Sequence, residues 1–121
     1  MRWIHTVAAF VCALALLTAA PAHADLLQSA GKITFLRVHN VGSGFGPPSD
    51  FIDVEVVMQL NTKPGQSFGF QLRDDANRAA RQGMLDLLRD AFANNSTVVI
   101  DFNIQPPKKH GVIIRVALTK P

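Results

Sequence analysis

Beyond residue 24 the chain has no cysteine, no tryptophan and no tyrosine; Cys12 and Trp3 both precede that point, and tyrosine is absent throughout. Disulfides therefore cannot stabilise the remainder, even in an oxidising compartment. Its seven phenylalanines carry all of the aromatic surface. That shortage disfavours functions built on broad stacking faces, such as many sugar and single-strand nucleic-acid platforms. Long apolar runs are also scarce. The one extended run, Val7 to Ala20, falls short of the ~20 residues that span a bilayer, and Pro21 breaks it. Strong charge of either sign is missing as well. Twelve basic residues face nine acidic ones, and without Arg2 the balance is eleven to nine. Such a mild excess does not argue for nucleic acid. No internal repeat or low-complexity tract is present.

What is present begins with an export signal. Met1 and Arg2 give a positive start, Val7 to Ala20 an apolar stretch, and Ala22-His23-Ala24 a small-x-small cleavage site. Residues 1–24 are expected to be removed, leaving a mature chain from Asp25 that is periplasmic or secreted, with no stable membrane insertion. Cys12 lies mid-run, away from the position a lipid-modified cysteine would occupy. The 97 residues from 25 to 121 can bury one core, so a single domain is expected.

The period of the hydrophobic pattern then changes twice. Asp25 to Ala30 reads as a short helical turn stopped by Gly31, and Lys32 to Asn40 as a strand with imperfect alternation. A bulge, or burial on both faces, would account for the imperfection. Ile52, Val54, Val56, Met58 and Leu60 alternate with Asp53, Glu55 and Gln59, the signature of a half-buried strand. After the Pro64-Gly65 turn, Phe68, Phe70 and Leu72 point inward. A helical period follows, capped by Asp74 or Asp75, with an apolar stripe of Ala80, Met84, Leu87, Leu88, Ala91 and Phe92. Gly83 inside it suggests close approach to another backbone, and Asn94-Asn95 supplies the stop. Finally Val98, Ile100, Phe102 and Ile104 alternate on one strand, and Val112, Ile114, Val116 and Leu118 on another. Met84, Leu88 and Phe92 are expected to plug the sheet beside Val54, Val56, Phe70, Ile100 and Ile114.

Five short strands and one apolar helix face bury each other best as a closed barrel plugged at one end; an open antiparallel sheet under the helix is the alternative. The fold class is thus mainly β with one helix, an OB-like five-stranded barrel in the order strand-strand-strand-helix-strand-strand. From about Lys32 to Thr119 this order of elements resembles small exported OB-fold proteins, and among them the B subunits of pentameric bacterial toxins. The resemblance implies glycan binding and a homo-oligomeric ring. The mature chain differs from many of those subunits in having no disulfide and no tryptophan.

In such barrels the loops joining the first strand to the second and the fourth to the fifth are the usual binding elements. Here they are Val41 to Asp50, rich in glycine and carrying Phe45, and Gln105 to His110, carrying Lys108, Lys109 and His110. An aromatic ring beside cationic donors suits an anionic sugar, a phosphate or an acidic protein surface. Glycine, proline and lysine are equally the content of ordinary solvated loops. Gly42-Ser43-Gly44-Phe45-Gly46 is no phosphate loop, because neither GK[ST] nor a helix start follows. His39 and His110 lack metal-ligand spacing and are expected at polar strand ends or loops, with no metal and no cofactor. Asp53, Glu55 and Asp101 should pair across strands with Arg37, Arg73 and Arg115.

No acyl-transfer elbow or carboxylate cleft is visible, so the chain reads as non-enzymatic. The expected function is an exported module that binds a glycan or other anionic ligand through Phe45, Lys108, Lys109, His110 and His39. An envelope or secreted protein-protein interaction subunit is the alternative, and nucleic acid is not an expected partner.

Overall fold

The alternating segments form β1 (Leu27–Val38), β2 (Val56–Leu60), β3 (Ser67–Phe70), β4 (Thr97–Ile104) and β5 (Gly111–Leu118), with one helix, α1 (Arg78–Asn94), between β3 and β4. The computed structural model describes residues 26–120; the expected signal segment and its cleavage point lie outside them. The strands close into a barrel in the order β1-β2-β3-β5-β4. Every pairing is antiparallel except β3 with β5, which run parallel at Phe68–Gly111 and Gly69–Val112. This is the OB-like barrel, mainly β with one helix.

β1 starts earlier than expected. Leu27 to Ala30 are strand rather than helical turn, because Leu27 to Lys32 pair with β4 while Ile33 to Val38 pair with β2. One long strand thus serves both neighbours, and pairing overrides the local pattern. A register shift between Ile33 and Phe35 explains the imperfect alternation. Leu36 packs toward the barrel interior and Phe35 toward a second cluster.

That second cluster changes the expected role of Val54. Ile52, Val54 and Val57 are buried together against Phe35 and Phe45, while Val56, Met58 and Leu60 fill the barrel with Phe68, Phe70, Ile100 and Phe102. Successive strand residues face opposite ways, so Val57 lies on the outer face of β2. The β1–β2 connection folds back over that face. Gly69 of β3 makes room for it: a Cβ there would stand 2.6 Å from Val54 Cγ2 and closer still to the Val56 carbonyl oxygen. β2 is therefore regular only from Val56, with Ile52 held by an isolated bridge to Phe45.

α1 buries Leu88 and Ala91, with Met84 and Leu85 partly covered. Phe92, expected in the plug, is 51% exposed, since the helix face turned to the core is that of Met84, Leu85, Leu88 and Ala91. Neither aspartate caps the helix. Asn77 occupies the N-cap position without a side-chain bond; Asp75 instead accepts the Asn77 amide at 2.8 Å and pairs with Arg81 at 3.0 Å. Gly83 approaches nothing: no atom lies within 4 Å of where its Cβ would stand. Asn95 ends the helix in the left-handed conformation (φ 52°), as its residue type suggests.

On β5 a register shift opposite Asp101 and Phe102 changes the phase of alternation. Ile113 faces the core and Ile114 is 45% exposed, the reverse of the expected pattern.

Candidate functional site

Both candidate loops end at the same rim of the barrel, because β3 and β5 run parallel there and bring Gly111 beside Phe68. The first loop is pinned by reciprocal backbone bonds between Phe45 and Ile52, at 3.0 and 2.9 Å. Gly44 beside it has φ +52°, and a Cβ there would collide with the Phe51 ring. Phe45 is consequently a fixed, half-buried ring rather than a loose loop side chain.

The second loop is fastened both to the first loop and to the β2–β3 turn. Lys109 donates its backbone amide to Asp50 Oδ1 at 3.2 Å, its ammonium lies 3.9 Å from Asp50 Oδ2, and its carbonyl accepts Gln66 Nε2 at 2.8 Å. His110 is buried, not the surface residue expected, and meets Phe45 edge-on with ring centroids 5.4 Å apart. Its Nδ1 accepts the Ser67 amide at 3.0 Å, so in the neutral ring the proton sits on Nε2. Burial lowers the His110 pKa from 6.5; Asp50 opposes that shift and Lys109 reinforces it. The residue is thus a neutral strut, not the cationic donor its sequence position suggested.

Between the loops lies a cleft of about 220 Å³, lined by Ile52, Asp53, Gln105, Lys108, His110 and Val112. Lys108 forms no ion pair among the described residues, whereas Asp53 is neutralised by Arg73 at 2.8 Å. Arg73 also grips the buried Glu55 through Nε at 2.8 Å. The expected pairings of Arg73 with these carboxylates and of Arg115 with Asp101 (3.0 Å) are present. Hydrogen bonds to Glu55 and then Asp53 push the Arg73 pKa further upward, so it stays charged at any working pH.

Arg37 departs from that scheme. Among the described residues it pairs with no carboxylate and lies instead 5.7 Å from the Phe35 ring centroid and 5.4 Å from that of Phe45. The Phe35-x-Arg37 spacing, two residues on one strand face, is the sequence signal for this arrangement. His39 is placed apart from the lysine loop. Its Nε2 donates to the Val54 carbonyl at 2.6 Å and its amide to the Glu55 carbonyl at 2.9 Å, fastening the first loop to the end of β1. Its Nδ1 is buried without a hydrogen-bond partner.

The structure therefore brings Phe45, Lys108, Lys109 and His110 together and leaves His39 outside the group. Of that group only Lys108 and His110 line the cleft; Ile52, Asp53, Gln105 and Val112, absent from the expected set, complete its walls. Among the described residues no cluster of three or more His, Cys, Asp or Glu side chains could hold a metal ion. Compared with known proteins, the chain matches no family model, no curated protein and no solved structure.

Proposed function

We propose that this protein is an exported, non-enzymatic binding module whose anionic ligand enters the cleft between the β1–β2 and β4–β5 connections. The carrying observation is the position of Lys108. Lys108 lines a cleft whose one carboxylate, Asp53, is already engaged by Arg73. An unpaired cation beside the His110 ring and the exposed Val112 side chain favours a ligand that brings negative charge and some apolar surface.

The covered outer face of β2 and β3 supports the same choice. That face is a common OB platform, but here Ile52 and Val54 lie over it. Flat stacking ligands such as single-stranded nucleic acid are disfavoured accordingly. Export is supported by the pattern of residues 1–24 alone.

Lys108→Glu tests the cleft more cleanly than a substitution of Lys109, because the Lys109 ammonium already faces Asp50 of the first loop. The parent protein is expected to retain immobilised polyanions, among them polyglutamate and heparin, in a salt-sensitive manner, and the variant to lose them. A folded variant that retained every polyanion as well as the parent would refute the cleft as the site.

A further inference from the structure

Building on that reading of the loop cleft, we propose that Arg37 is the second cation of the site and that the occupant is an extended acidic segment of a partner protein. Arg37 is exposed, and its guanidinium rests against two phenylalanine rings without any carboxylate partner among the described residues. Aromatic rings attract and orient a guanidinium through their faces, yet leave its N–H donors free. A planar fork held in this way is prepared for bidentate contact with a carboxylate.

The surrounding charges isolate Arg37 and Lys108 as the available pair. Four cations (Arg37, Arg73, Lys108 and Lys109) and three carboxylates (Asp50, Asp53 and Glu55) surround the loops. Arg73 engages Asp53 and Glu55, and Lys109 engages Asp50. Arg37 stacks on Phe45, Phe45 meets His110, and His110 lines the cleft with Lys108. The guanidinium therefore lies at most two successive contacts of 5.4 Å from the imidazole ring. An extended peptide covers that span in about three residues at ~3.4 Å each.

The same contacts argue against a sugar. Arg37 lies over one side of Phe45, His110 meets the ring edge-on, and the second cluster packs around it. Phe45 is thus engaged rather than presented as a free stacking surface. Ile52 being buried, the apolar surface that the cleft offers beside Lys108 is that of Val112, 37% exposed. It suits an aliphatic side chain placed between two acidic residues. The chemistry of the partner is therefore alternating acidic and aliphatic residues in an extended strand.

Calorimetry with the mature protein and three probes tests this proposal: a capped heptapeptide of alternating Glu and Leu, its Gln-for-Glu counterpart, and an oligogalacturonate of matched charge. The Glu peptide is expected to bind at least tenfold more tightly than either of the others. Arg37→Gln should weaken it at least tenfold, and Arg37→Lys nearly as much, because lysine keeps the charge but not the fork. Thermal melts of both variants confirm that the fold is retained. If Arg37→Gln binds like the parent while Lys108→Gln loses the peptide, the role of Arg37 is overturned and the loop cleft stands. If oligogalacturonate binds and the peptide does not, the partner class is overturned and the cleft again stands. If no probe binds the parent, both readings fail.

Discussion

His110 accepts the backbone amide proton of Ser67 at 3.0 Å, so a single imidazole joins the end of the lysine loop to the start of β3. The bond requires an unprotonated Nδ1. Since burial lowers the His110 pKa below 6.5 in the folded state, the unfolded chain takes up a proton first as pH falls. Stability is then lost as pH drops through 6.5 toward the lower folded value, and is regained as pH rises. Urea midpoints from pH 8 to pH 5 should show this slope in the parent. His110→Gln should be less stable at pH 8 and show a shallower slope; equal slopes would mean that another group carries the effect.

Leu88 and Phe92 provide a paired test of the helix packing. Leu88 is fully buried, so Leu88→Ala is expected to cost about 2–5 kcal/mol. Phe92 is half exposed, and Phe92→Ala should change stability by under about 1 kcal/mol. Equal losses in urea unfolding would place Phe92 in a covered environment.

Two glycines should respond in opposite directions. Gly83→Ala adds a methyl group to open space within α1 and should stabilise by about 0.5–1 kcal/mol. Gly69→Ala drives a Cβ into the Val56 carbonyl and Val54, with an expected loss of about 1–3 kcal/mol. Denaturant midpoints compared at constant slope decide both.

Arg73 ties a buried carboxylate, Glu55, to an exposed one, Asp53. Arg73→Met should lower the melting temperature more than Asp53→Asn, because only the former leaves Glu55 buried without its counterion. The opposite ranking would mean that Glu55 is hydrated in solution.

Reading the sequence succeeds where the controlling forces are local. On β4, Val98, Ile100 and Phe102 are buried as their spacing requires, and Asn95 takes the left-handed conformation that its side chain tolerates. It fails where distant chain segments decide. The inversion of Ile113 and Ile114 arises from a shift against β4, and the start of β1 from a second pairing partner. The rim was legible as two loops, since barrel order places them side by side. The burial of His110 and the stacking of Arg37 were not, because each depends on Phe45 being held in place by Ile52.

The parallel pairing of β3 with β5 rests on only two residue pairs, and it joins segments separated by more than forty positions in the chain. With so few bonds holding it, the seam is expected to be among the first parts of the barrel to open locally. The cleft adjoins this seam, with Val112 in its wall. A ligand held by both loops would act as a stitch across it, slowing local opening in proportion to occupancy. Amide exchange at Phe68 and Gly69 should therefore slow when the site is filled, while the interior of α1 exchanges as before; unchanged protection at the seam would mean that the ligand engages only one loop.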